Sequence, residues 1–343
     1  MGDQRKPGIF SELLICSDSF KGTFSSREVG EAVARGVLRA GTPAAVLAVA
    51  DGGEGTFDAL STPLVLTPVE MTVSGPLGAP VSARYGLAEA GIAVVEMAAA
   101  SGLNLVPAEH RDPIRASSRG TGELIAAAIS SGARRIYLAV GGSATTDGGA
   151  GALEVLAGID PKLLDQVKFT VICDVRVPFE RAAEVFAPQK GASPEQVQEL
   201  TARLHEQAAA YARDPRGVPM SGAAGGLAGG MWAQHRAELV AGAAFVLNAI
   251  GYDEHMRQAL AVITGEGCLD RQSLMGKLLA EVATRARQAG VPCHAVVGTN
   301  ELAAFDTRIL DLQLIIESST LAALEAAGER IANVIAADRH HGR

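Results

Sequence analysis

The chain has 343 residues, 48% of them hydrophobic, which is enough to bury a substantial core and makes two domains the natural prior. A formal charge of −8 argues against a partner made of nucleic acid or anionic membrane, since either needs a basic face against its phosphates. Aromatic residues at 4% leave no stacking platforms for single-stranded bases, whereas 39 glycines permit close backbone approach, so small anionic ligands fit better.

Cys16, Cys173, Cys268 and Cys293 are widely separated and show neither zinc-site spacing nor a secreted disulfide framework, which reads as a reducing compartment. Met1 to Phe10 is polar, and no later window approaches the roughly 18 uninterrupted apolar residues of a membrane span. A cytoplasmic location is the expectation.

In chain order, Leu13–Cys16 is an apolar run, and Ser25-Ser26-Arg27-Glu28 is a capping-box pattern opening an amphipathic helix through Val29, Val33 and Val37 that Gly41 and Pro43 stop. Strand-like runs recur at Ala45–Val49, Ala93–Met97, Ile136–Val140, Thr170–Cys173, Ala261–Thr264, His294–Val297 and Leu314–Ile316, mostly with helical patterns between them. That alternation predicts an α/β protein with parallel strands. Pro63–Ala88 departs from it, reading as two extended runs around Ser74–Gly78 and implying a second domain with a mixed sheet. Pro194–Arg213 is a polar helical stretch, expected as a solvated face.

Five carboxylates follow strands: Asp18, Asp51, Asp147, Asp174 and Glu266. Ligands of open α/β sheets bind at that edge, so the five are candidates to converge on one crevice. Two carboxylates about 4 Å apart repel by roughly 4 kcal/mol at an effective dielectric near 20, so convergence calls for a cation, most economically a divalent metal. Lys21, Lys190 and Lys277 punctuate the same segments. Carboxylates, lysines and glycines interleaved in this way point to metal–phosphate chemistry, which needs Mg²⁺, cations and backbone N–H groups around phosphoryl oxygens.

The turn Gly141–Gly149 lies between the strand Arg135–Val140 and the helical run Ala150–Leu156, placing free N–H groups and the positive helix end where a phosphate would sit. It is neither a Walker loop nor a dinucleotide fingerprint, because Glu154 stands where the latter needs a third glycine. Blander roles compete at each point. A glycine turn also lets a helix pack closely on a sheet, each Asp reads equally as a helix N-cap, and single lysines are usually solvated. The glycines of Ser221–Gly230 read as close packing at a helix entry, Ser101-Gly102 as a turn or the border of an acceptor pocket, and His294 as buried structure.

The chain resembles the type I bacterial glycerate kinase family over nearly its whole length. The resemblance rests on Ser17–Gly22, Ala50–Thr56, Ser74–Gly78, Glu96–Leu103, Gly120–Glu123, Gly141–Gly151, Phe186–Gly191, Gly222–Gly226 and Thr264–Gly267, in that order. It implies ATP- and Mg²⁺-dependent phosphorylation of D-glycerate, with 2-phosphoglycerate expected over 3-phosphoglycerate, in a protein that is a monomer or a homodimer. It also implies a flavodoxin-like domain formed by residues 1–62 and 256–343, a second α/β domain at 63–255, and an active site between them. The expected catalytic groups are Asp174, Lys21, Lys190 and Asp18. Substrate or nucleotide contacts are expected from Ser19, Gly52, Gly53, Gly141, Gly142, Ser143, Ala144, Thr145, Gly148, Gly149 and Lys277, and metal contacts from Asp51, Asp147 and Glu266.

Three departures from the family pattern stand out. An insertion usual after Gly151–Leu156 is missing, which predicts a lost surface hairpin; Cys173-Asp174-Val175 is followed by Arg176-Val177-Pro178-Phe179-Glu180-Arg181 where relatives carry Asp-Asn-Pro-Leu; and Cys268 replaces an Arg. The altered loop motivates a rival expectation, an impaired relative that binds glycerate or nucleotide as a sensor. A nicotinamide-dependent oxidoreductase ranks last because the fingerprint fails.

Overall fold

The computed structural model describes residues 12–20, 22–275 and 277–341. Its strands in chain order are β1 Leu13–Ser17, β2 Ala44–Val46, β3 Thr67–Ser74, β4 Pro80–Ala88, β5 Ile92–Glu96, β6 Arg135–Ala139, β7 Lys168–Cys173, β8 Glu238–Ala241, β9 Ala261–Leu269, β10 Cys293–Asn300 and β11 Ile315–Glu317. Contacts divide the chain into two compact units, Met1–Ala50 with Val246–Arg343, and Asp51–Phe245.

The first unit holds a five-stranded sheet in the order β11-β10-β9-β1-β2, with every pair parallel. Counted within the unit this is the flavodoxin-like order, in which the chain reverses its direction of winding between β1 and β9. Both faces of the sheet are covered, so β1 is buried at all five positions and reads as an unbroken apolar run. One face packs Ile15, Ile263 and Val296 against Val29, Val33 and Val37 of the helix Ser26–Arg39 and against Leu324 and Ile331 of the helix Leu321–His341. The other packs Ala295 and Val297 against Leu279 of the helix Leu278–Ala289. The capping box at Ser25 and Glu28 forms as anticipated, each side chain bonding the other residue's backbone N–H.

The second unit holds a six-stranded sheet in sequence order, β3-β4-β5-β6-β7-β8. The pairs from β3 to β5 are antiparallel and those from β5 to β8 parallel, the mixed sheet that the two extended runs expected within Pro63–Ala88 implied, although Pro63 and Leu64 themselves end the helix Thr56–Leu64. Its core joins Tyr85, Val95, Ile136, Leu138 and Val171 of the sheet to Leu124 and Ile125 of the helix Arg119–Ser130 and to Leu227 and Met231 of the helix Leu227–His235.

Some elements differ from expectation. The polar stretch near 194–213 forms the helix Pro194–Ala210, and it is not wholly solvated: Leu200, Leu204 and Ala208 pack on Phe179. β8, a four-residue edge strand, carried no readable alternation. Between β6 and β7 there is only the helix Ala150–Leu156, a turn and the helix Pro161–Leu164. No helix among the described residues is long and apolar enough to cross a membrane.

In the first unit, the helices Ser26–Arg39 and Leu321–His341 meet through glycines. A Cβ on Gly36 would overlap the carbonyl of Glu325, and one on Gly328 the carbonyl of Val33, so both backbones approach as only glycine permits. Gly36→Ala is expected to cost about 1–3 kcal/mol through overpacking and to lower the thermal midpoint by several degrees. Thermal denaturation checks this, and an unchanged midpoint would show that the helices do not meet there.

Candidate functional site

In the second unit, the C-terminal ends of the parallel strands bring three loops together. Asp51-Gly52-Gly53 precedes the helix Thr56–Leu64 and crosses the end of β6, where Gly141 N donates to Gly52 O at 3.0 Å. The crossing tolerates no side chain. A Cβ on Gly141 would lie 2.5 Å from Gly53 Cα, one on Gly52 would meet Ile172 O at 2.8 Å, and one on Gly242 would overlap Asp51 O. Gly52 also has φ +98°, a backbone state that other residues rarely adopt. Two carboxylates lie beside the crossing. Asp51 is buried and its Oδ1 accepts from Gly53 N at 3.1 Å, while Oδ2 of half-buried Asp174 sits 3.4 Å from where a Gly141 Cβ would be.

Within the turn Gly141–Gly149, Gly142 is exposed and Ser143 half-buried, whereas Gly141 and residues 144–149 are buried. Ala144, Thr145, Gly148 and Gly149, expected as ligand contacts, therefore lie beneath the surface. The turn is held from one side by the segment after β5: Leu103 N donates to Gly142 O and Ala144 N to Ser101 O, both at 2.9 Å. The second glycine-rich segment holds it from the other side. Gly148 N donates to Gly225 O at 3.0 Å, and a Cβ on Gly225 would overlap Thr145 O, so these glycines serve close packing.

Lys190 reaches the turn from behind. It is 2% exposed, and its Nζ donates to Thr145 O at 2.5 Å and to Ser143 Oγ at 3.0 Å. Burial pushes this amine down to about 8, opposed by the negative charges of Asp147 and Asp174. The N–H groups of Gly142 and Ser143 find no acceptor among the described residues. The arrangement thus presents two backbone donors at the surface with a buried cation behind them.

Asp147 has a different character. Its Oδ2 accepts from Ser118 N at 2.8 Å, Ser118 Oγ at 2.7 Å and Gly151 N at 3.2 Å, and its Oδ1 accepts from Gly149 N at 3.1 Å. Ser118 Oγ in turn accepts from Ala152 N at 3.0 Å. The N–H groups expected to be free at the start of the helix Ala150–Leu156 are therefore largely occupied by Asp147 and Ser118, a side chain from 29 residues upstream. Sequence reasoning missed Ser118, and also Gly242, because nothing in their neighbourhoods signals a contact so distant in the chain.

The altered loop after Asp174 is built into the fold. Gly222 N donates to Val177 O at 2.9 Å, Met220 N to Arg176 O at 3.2 Å, and Phe179 N to Ser221 Oγ at 2.8 Å. Phe179 itself is fully buried.

The first unit carries the remaining candidates. β1 pairs with β9 with Ser17 opposite Gly265, so the register sets Asp18 beside Glu266 at the point where the winding reverses. Both are buried, Asp18 Oδ1 accepts from Ser19 N at 2.7 Å, and Asp18 N donates to Gly265 O at 2.9 Å. Lys277 is half-buried at the N-cap of the helix Leu278–Ala289. Lys21 lies outside the described residues. His294, on β10, is buried, and burial pushes it down to about 4 as expected of a structural imidazole.

Among the described residues, no three of His, Cys, Asp and Glu gather closely enough to hold a metal ion by themselves.

Residues 13–160 and 156–333 match the family model described as the glycerate kinase family. Glycerate 2-kinase of Escherichia coli strain K12 is 38% identical over 325 residues, covering 84% of this chain and 85% of that protein. Glycerate kinase of Bacillus subtilis strain 168 is 39% identical over 327 residues, with the same shares covered. A crystal structure from Salmonella typhimurium LT2, of a chain designated glycerate kinase 2, superimposes with a TM-score of 0.79 at 32% identity, over 96% of this chain and 100% of that one.

The Asp51 loop and the glycine turn touch backbone to backbone, so Gly141→Ala is expected to push them apart. A loss of at least about 100-fold in turnover should result, as misplacement by 1 Å can cause. Steady-state kinetics beside a thermal melt checks this, and full activity in the variant would detach the crossing from the chemistry.

Proposed function

The chain belongs to the glycerate kinase family, and from that premise we propose that it transfers the γ-phosphoryl group of ATP to D-glycerate with Mg²⁺, giving 2-phosphoglycerate. The observation that carries this reading is the buried Lys190 amine behind Gly142 and Ser143, with Asp51 and Asp174 beside the same backbone crossing. Phosphoryl transfer needs little covalent help. It needs positioned donors and cations around oxygens that carry growing charge.

In this proposal the N–H groups of Gly142 and Ser143 bind oxygens of the transferring group, and Lys190 supplies positive charge through Ser143. Asp174, half-buried at the end of β7, orients the acceptor hydroxyl and takes its proton. Mg²⁺ keeps several waters and takes only one or two carboxylates besides phosphate oxygens, so Asp51 would hold it without a cage made of protein alone, and Asp174 keeps the role of base. When bound, the ion would offset charge on the phosphoryl oxygens. Asp147 is left out of this set because four protein donors already occupy its carboxylate. In the first unit, we assign the strand edge with Asp18, Ser19, Glu266 and Lys277 to the nucleotide, on the rule that open α/β sheets bind ligands where the winding reverses.

Phosphorus NMR of purified protein with ATP, Mg²⁺ and D-glycerate should show 2-phosphoglycerate accumulating, and Asp174→Asn should reduce its rate by at least about 100-fold without changing the fold. Tight glycerate binding with no phosphoglycerate formed would refute the proposal.

The buried amine sets the expected pH dependence. Below about 8 it is protonated and able to offset phosphoryl charge; above that it is neutral. The profile of kcat/KM, which reports groups of the free enzyme, is expected to fall about tenfold per pH unit above 8. A profile flat to pH 10 would show that the charge of Lys190 is not needed.

A further inference from the structure

Beside the glycine turn lies a narrow pocket that draws on four sequence motifs far apart in the chain. Its walls are Leu77 of the turn after β3, Leu103 of the segment after β5, Ala144 of the glycine turn and Lys190. Arg111 and Asp112 complete the ionic lining. The space is about 10 Å³, room for roughly one water or one ligand oxygen, so it receives the end of a molecule and not a whole one.

Arg111 is the group here without an explanation. Its Cβ lies 3.3 Å from where a Cβ on Gly191 would be, and its Nη1 donates to Gln189 O at a long 3.4 Å, so it clasps the backbone on both sides of Lys190. Its Nε is buried and finds no acceptor among the described residues. A buried guanidinium N–H left unmet is costly, and an anionic acceptor is the partner that suits it best. Asp112 does not supply that partner: Arg111 Nε stays unbonded beside it, and Asp112 Oδ1 accepts instead from Ile114 N and Arg115 N, both at 3.1 Å.

We propose that Arg111 reads the carboxylate of the acceptor, one carboxylate oxygen entering this pocket while the hydroxyl to be phosphorylated lies outside it, along Gly142 and Ser143. The inference rests on the glycerate reading and assigns that acid its anionic end. A triphosphate is a poorer occupant, because the pocket takes only one oxygen. The apolar walls at Leu77, Leu103 and Ala144 keep water from the ion pair, which strengthens it. Arg111 thereby becomes a specificity residue for hydroxy acids over polyols.

The test compares wild type, Arg111→Met and Arg111→Lys in steady-state kinetics, with D-glycerate and ATP varied separately and glycerol as the acceptor that lacks the carboxylate. Loss of one charge-assisted hydrogen bond predicts a KM for D-glycerate raised about 10–100-fold in Arg111→Met, a KM for ATP within about twofold, and a glycerate-over-glycerol preference reduced by the same 10–100-fold. Arg111→Ala should regain rate when guanidine is added. An unchanged KM for D-glycerate, or equal rises in both KM values together with a lowered melting temperature, would overturn the assignment while leaving the proposed function standing. A wild-type protein that phosphorylates no D-glycerate would overturn the proposed function itself, and this assignment with it.

Discussion

An ammonium group removed from water must find partners, and the burial of Lys190 organises everything around it in the second unit. The residue is 2% exposed and its amine takes Thr145 O and Ser143 Oγ as acceptors, which fixes the glycine turn with Gly142 and Ser143 outward and the rest inward. Two carboxylates within electrostatic reach, Asp147 and Asp174, oppose the loss of its charge. Asp147 does this from a locked position, held by Ser118, Gly149 and Gly151. A buried cation held by two fixed acceptors, Thr145 O and Ser143 Oγ, is preorganised, so little rearrangement would be required if negative charge arrived beside it.

The two sheets arrange the loops at their strand ends by different routes. In the first unit, the strand order β11-β10-β9-β1-β2 sets Asp18 and Glu266 side by side because the winding reverses between β1 and β9. In the second, the strands run in sequence order, so no reversal opens a crevice. Three loops meet instead, because Gly52, Gly141 and Gly242 let backbones touch where any Cβ would interfere. Glycine content, which at first indicated only small anionic ligands, takes on a structural meaning there.

Much of this was legible from residue order alone. The capping box at Ser25, the helix from Ala150 to Leu156 and the mixed sheet after Pro63 all follow from local patterns, and local patterns are what periodicity records. The type of each strand-end residue was visible too. What remained hidden was how each group spends its hydrogen bonds. Asp147 and Asp174 look alike as acids after strands, yet Asp147 is buried under four donors from Ser118, Gly149 and Gly151, whereas Asp174 lies half-buried beside a backbone crossing. Arg111 drew no notice because an isolated arginine has no pattern; only the meeting of four distant segments gives it meaning. The replaced loop at Arg176–Arg181 looked like a defect in sequence, whereas its backbone is tied down by Met220, Ser221 and Gly222. Burial of Leu200 and Leu204 was obscured by the polar residues around them.

The proposed transfer depends on a charged but easily neutralised amine behind the glycine turn, and titrating that amine directly is its closest test. With lysine side chains isotopically labelled and Lys190 assigned by its loss in Lys190→Met, NMR should show its Nζ titrating near 8 in the free protein and moving upward once ATP and D-glycerate supply negative charge. A midpoint near the ordinary lysine value of 10.5, unmoved by ligands, would contradict it.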